Sequence, residues 1–217
     1  MNVPFIRNHQ YNFMKKHVDK LQQACQAATD PKVVEAIRSS AIFEIMEQFP
    51  DATDWQKELV ERIAELRSSE DCRKYISALE PYMMEFPRVT EKQIQKLFPK
   101  VKKLKVPNLA SIDYRYVTYL SWIDIGTNKL FIVYPRDGQW IGIEGRNTPT
   151  NKKGYCCICN RHGELSLVTA ITKTKPSNAS PDYYKAVGNY MCSNSESCNK
   201  NISDQASLER FIDNVIG

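Results

Sequence analysis

Apolar residues recur every three or four positions through the first third of the chain. Between His9 and Ala28 the stripe is Phe13, Val18, Leu21 and Cys25, a spacing that gathers them on one side of a helix. Asp30-Pro31 then supplies an N-cap followed by proline at the first helical position, where a missing N–H costs nothing. The helix opened there is predicted to run to about Phe49, with Val34, Ile37, Ala41 and Ile45 as its stripe. Thr53 or Asp54 caps a third helix carrying Trp55, Leu59, Ile63 and Leu66. Ser69 begins a fourth with Cys72, Ile76 and Leu79, which Pro81 ends or kinks. Such stripes need partners, so four of them on short connections predict a helical bundle. Cys25 and Cys72 lie on stripes and are expected in its core.

Thr90 and Gln93 have capping-box spacing ahead of Ile94, Leu97 and Phe98, which starts a further helix that Pro99 interrupts. A basic run follows, Lys100, Lys102, Lys103 and Lys105, closed by Pro107. Beyond it the period shortens. Tyr114–Ile123, Lys129–Tyr134 and Trp140–Glu144 are rich in aromatic and β-branched residues and are separated by Gly126-Thr127-Asn128 and Arg136-Asp137-Gly138. These are expected to be antiparallel strands joined by hairpins. The chain therefore reads as α+β: a helical bundle over residues 1–86, then an α/β domain over 87–217, with the boundary near Pro87.

A hydrophobic content of 42% supports packed cores. No apolar run approaches the roughly 18 residues of a membrane span, and Met1–Asn8 lacks the succession of a secretion signal. A soluble, cytoplasmic protein with no membrane partner is expected. Thirty basic against twenty-five acidic residues give +5, which favours an acidic partner without requiring nucleic acid. Seven cysteines, an odd number with no export signal ahead of them, point to reduced thiols and metal rather than to disulfides.

Cys156 and Cys159 form a C-x2-C pair and Cys192 and Cys198 a C-x5-C pair. Two such pairs brought together supply the four tetrahedral thiolates that zinc prefers. With all four positions closed no activated water is bound, so one structural rather than catalytic zinc ion is expected. Cys157 competes for the first pair, at the strain of a one-residue gap, and His162 is an alternative ligand. Ordinary buried thiols are the bland alternative. The C-x2-C knuckle, a hairpin of Ser166–Ile171 with Tyr190–Cys192, and a terminal helix carrying the last cysteine resemble a treble-clef finger over about 154–217. Leu208, Phe211, Ile212 and Val215 would be that helix's apolar face.

None of the phosphate-loop, dinucleotide-binding, nucleophile-elbow or H-E-x-x-H metalloprotease motifs is present, and the three histidines form no relay. No catalytic residue is assigned and no small-molecule substrate is expected. The informative residues are those of a binding protein: Tyr155 before the first ligand, Tyr183 and Tyr184 in a polar loop, and Tyr190 two before the third ligand. Lys173, Lys175, Lys185 and Arg161 add positive charge for steering or solubility.

The marks His9-Gln10-Tyr11-Asn12, Lys100–Pro107, Gly154–Asn160, Tyr190-Met191-Cys192, Cys198-Asn199 and Phe211–Asp213 together resemble the fusidic-acid-resistance proteins of the FusB/FusC type, which bind translation elongation factor G. The resemblance spans nearly the whole chain and implies the same layout of helical domain and four-cysteine zinc finger. It implies a finger surface that grips elongation factor G and so frees it from drug-stalled ribosomes, the drug itself staying unmodified. The ribosome is then an indirect partner and the protein a monomer. Family contact positions fall on Tyr155, Tyr190 and Phe211, which the treble-clef reading brings to the surface. The family's lysine before a glycine is not matched, since Val187 precedes Gly188; Lys185 is the nearest lysine and the candidate substitute. The rival reading is a ribosome-associated, RNA-binding zinc protein, suggested by Lys100–Lys105 and the aromatics.

Overall fold

The computed structural model describes residues 3–28, 30–174, 178, 180 and 183–217. It divides into two compact units, Met1–Met84 and Glu85–Gly217.

The first unit is helical. Its α1 (Asn8–Ala27), α2 (Pro31–Met46), α3 (Asp54–Glu61) and α4 (Ser69–Leu79) are joined by short connections, with 3-10 turns at Arg62–Glu65 and Glu80–Tyr82. Tyr11, Met14, Val18 and Leu21 of α1, Ala41 and Ile45 of α2, and Val60, Ile63 and Leu79 are buried. The α1 stripe is thus rotated slightly from expectation: Phe13 is half-buried and Cys25 is exposed, whereas Cys72 is buried. Asp30 caps α2 by accepting from Lys32 N at 2.8 Å. Gln10 shows why its motif matters. Its Oε1 accepts from Arg7 N at 2.8 Å at the start of α1, while its Nε2 donates to Gln48 O at 2.7 Å beyond the end of α2. Buried Arg38 donates to the carbonyls of Ala64 and Leu66 at 2.7 and 2.8 Å, fastening α2 to the segment after α3.

The second unit is built on one antiparallel sheet in the order β1-β2-β3-β4-β5. The strands are β1 (Leu120–Asp124), β2 (Lys129–Arg136), β3 (Gln139–Tyr155), β4 (His162–Ile171) and β5 (Ala186–Cys192). Asp137 and Gly138 have φ of 49° and 72°, the paired left-handed conformations of a two-residue hairpin turn whose twist matches the strands. Tyr114–Tyr116, expected as the start of a strand, is a 3-10 turn instead. The third strand is far longer than its aromatic stretch suggested, running on to the first zinc ligand. Its register against β4 shifts between Pro149 and Lys153, and Thr150 Oγ1 at that bulge donates to Leu165 O at 2.6 Å. The bulge re-aims the end of β3, so that Tyr155 lies opposite His162.

Each face of the sheet is covered. On one, α5 (Glu91–Leu97) and the segment following it bury Ile94 and Phe98 against Phe131 and Val133. On the other, α6 (Ser195–Asn199) and α7 (Ala206–Ile216) bury Cys198, Leu208, Phe211, Ile212 and Val215 over Ile132, Ile143 and Val168. The expected single terminal helix is therefore two: α6 carries the last cysteine and α7 the apolar face.

Candidate metal centre

The first cysteine pair sits on the turn between β3 and β4. Cys156 N donates to Arg161 O at 3.0 Å and Asn160 N to Cys156 O at 2.9 Å, and Asn160 turns the chain with φ of 50°. Cys157 N donates to Tyr190 O at 2.8 Å, closing the knuckle onto β5, whose last residue is Cys192. The five-residue gap to Cys198 has a local cause. Two residues leave the strand, Asn194 caps α6 by accepting from Glu196 N at 2.8 Å and Ser197 N at 3.3 Å, and Cys198 falls on the first turn.

The four sulfurs of Cys156, Cys159, Cys192 and Cys198 all lie within 4.8 Å of one another. Cys156 Sγ and Cys198 Sγ are 3.8 Å apart, and Cys159 Sγ and Cys192 Sγ 3.6 Å. Tetrahedral thiolates about 2.3 Å from a zinc ion stand about 3.8 Å apart, so the residues fit the ion as they are. Hydrogen bonding from Cys159, Cys192 and Cys198 holds the Cys156 thiol far below its ordinary range, and the same contacts push Cys192 and Cys198 up. Sulfurs packed this closely cannot all ionise unless a cation sits among them. Cys192 N also donates to Cys156 Sγ at 3.3 Å, orienting the ligand from outside.

The competitors drop out on geometry. Cys157 lies outside the cluster, and burial pushes its thiol up to about 12. His162 is exposed and packs edge-on against Tyr155, with ring centroids 5.3 Å apart. The centre is a closed, buried structural zinc site.

The chain's two halves match two family models, the N-terminal domain of elongation factor G-binding protein over residues 5–87 and the FBP C-terminal treble-clef zinc finger over residues 95–213. This chain belongs to the elongation factor G-binding protein family. A solved structure described as that of the fusidic acid resistance protein FusC superposes with a TM-score of 0.81 at 29% sequence identity, covering 99% of this chain and 98% of that one. No curated protein matches it.

On the family's finger, the expected contact residues do not share one fate. Tyr155 is 68% exposed and Tyr190 52% exposed, and the Cys157–Tyr190 backbone bond ties together the segments that carry them. Tyr184, at 72%, is equally open, and Tyr183 is half-buried. Phe211 corrects the expectation of a surface position, being 3% exposed inside the core. With Leu208, Ile212 and Val215 it forms an i, i+3, i+4, i+7 stripe that α7 turns to the sheet. Lys185 is exposed, immediately before β5, while Val187 packs against the core. Five residues of nearly extended chain put it about 16 Å from Tyr190, at the rim beside Tyr184 rather than next to Tyr190. Of the other steering candidates, Lys173 Nζ donates to Gly142 O at 2.9 Å and Arg161 bonds Asn201 Oδ1. Lys175 lies outside the described residues.

One supporting residue, a member of the Cys198-Asn199 mark, has a role that the sequence does not show. Buried Asn199 accepts on Oδ1 from Thr118 N at 2.7 Å and Tyr119 N at 3.3 Å, and donates to the carbonyls of Tyr119 at 3.0 Å and Ser195 at 3.1 Å. It clamps the helix holding Cys198 to the entry of β1. Its place beside the last ligand, within the Cys198-Asn199 mark, is its signal in the sequence.

Proposed function

We propose that this protein binds translation elongation factor G through the tyrosine-bearing face of its zinc finger and gives resistance to fusidic acid by protecting the drug's target. It does so as a cytoplasmic monomer, without altering the drug, by freeing the factor from ribosomes on which the drug has stalled it. The observation that carries the reading is the pair of adjoining family matches, over 5–87 and 95–213, on a chain whose finger leaves Tyr155 and Tyr190 open to a partner. Large aromatic rings with polar tips held on a stiff scaffold are the anchors that interfaces use. Rescue further requires that the protein bind the factor's released conformation better than its stalled one, because a ligand with equal affinity for both shifts nothing.

The test uses purified components. Calorimetry should give one-to-one binding to elongation factor G, and adding the protein to drug-stalled ribosomes should return the factor to the supernatant on centrifugation. Mass spectrometry of fusidic acid after incubation should show no change in mass. Absence of binding to the factor would sink the reading, and a covalently altered drug would replace it with an enzymatic one.

A further inference from the structure

Between Glu91 and Asp113 the chain has no acidic residue but six lysines: Lys92, Lys96, Lys100, Lys102, Lys103 and Lys105. All six are exposed. The lysines that form ion pairs among the described residues, Lys74, Lys129 and Lys200, belong to other segments. The six stand on a firm backing. Ile94 and Phe98 are buried, and Leu97, Val101, Leu104 and Val106 pack against the same core. The end of α5 approaches the backbone of β3 so closely that a β-carbon on Gly142 would stand 2.7 Å from that of Leu97. Apolar residues therefore point inward and lysines outward along one fixed strip, far in sequence from the zinc knuckle.

We propose that this strip binds the phosphate backbone of double-stranded RNA, the duplex that the proposed function at stalled ribosomes brings within its reach, and on that reading the choice of RNA rests. What surrounds the lysines selects that partner. None of the exposed large hydrophobic residues lies between Lys92 and Asp113, so nothing is available to enter a bilayer or to anchor a protein interface. The same lack removes the aromatic platform on which single-stranded bases stack. Lysine ammonium groups are point charges, suited to phosphates without a fixed fork geometry. Scattered carboxylates on a protein gain little from exposed lysines, whereas a duplex releases condensed counterions for each phosphate neutralised. The strip thus adds a sequence-independent grip on structured RNA, separate from the finger's grip on its protein partner.

Fluorescence anisotropy with a short labelled RNA duplex tests this on the full zinc-loaded chain. With roughly four to six phosphates contacted, the log–log dependence of affinity on salt should have a slope of about −4 to −5. Combining Lys100→Gln, Lys102→Gln, Lys103→Gln and Lys105→Gln should at least halve that slope and weaken binding tenfold or more at low salt. Zinc content, melting temperature and affinity for elongation factor G should stay at wild-type values. The proposal is overturned if the duplex does not bind at low salt, or if the quadruple variant keeps wild-type affinity and slope. It is equally overturned if polyglutamate, single-stranded RNA or anionic phosphatidylserine vesicles bind as tightly as the duplex.

Discussion

Removing the ring of Tyr155 or Tyr190 leaves the core intact, because both side chains are largely exposed. Each alanine variant should lose about 2 kcal/mol or more of affinity for elongation factor G, roughly thirtyfold, with zinc content and melting temperature unchanged. Calorimetry alongside thermal melts checks both halves of this, and normal binding by both variants would place the contact surface elsewhere. Phe211→Ala should behave in the opposite way. Its ring lies in the core, so the variant should lose about 3–5 kcal/mol of stability in urea titration, and any loss of binding should follow unfolding. The contrast also shows what the sequence offered at this scale. Phe211 already sat in an apolar stripe at helical spacing, which is a burial signal. The likeness to a family and the treble-clef reading placed it at the surface, and the stripe is what the structure obeys. Tyr155 and Tyr190 carried no opposing stripe. Lys185→Ala, at the rim, should slow association at low salt and leave dissociation nearly unchanged in stopped-flow measurements.

Among the elements, the finger's geometry was legible where spacing alone sets it and hidden where a tertiary contact does. The C-x2-C pair and the hairpin residues announced the knuckle. The wider second gap makes sense only with Asn194 capping α6, and the length of β3 depends on a bulge that polar residues 150–153 do not advertise. Asn199 is the extreme case, a polar residue three of whose four bonds reach back about eighty positions and follow no periodicity. Asn199→Ala would remove an acceptor from the buried amides of Thr118 and Tyr119. It should cost roughly 2 kcal/mol or more, read as a lower urea midpoint, while zinc remains bound because all four thiolates persist. Cys192→Ser should strip the metal, whereas Cys157→Ser should be mild, and atomic absorption on the two proteins separates ligand from neighbour. Full zinc in Cys192→Ser would overturn the ligand assignment.

For the whole molecule, the change from helical to strand period beyond Pro107 marks where the sheet begins, in the second of the two units, which buries a core on each face of that sheet. Among the described residues, the cluster of metal ligands belongs to the second unit. Three of the four thiolates, from Cys156, Cys159 and Cys198, are themselves part of the core beneath α6 and α7. In small zinc domains the binding free energy, about 10–16 kcal/mol at neutral pH, is folding free energy. Removing zinc leaves those sulfurs crowded without a counterion, and the helices that cover the sheet lose the end at which they are fastened. The bundle of α1 to α4 has no such dependence, since its core is mainly apolar and holds no cluster of thiols, and its buried Arg38 is anchored on two backbone carbonyls. A strong zinc chelator should therefore expose the backbone amides of residues 154–217 to hydrogen exchange while those of α1 to α4 keep their protection, and added zinc should restore the first set. Loss of protection in α1 to α4 at the same chelator concentration would mean that the two units unfold as one, with the metal holding the entire chain.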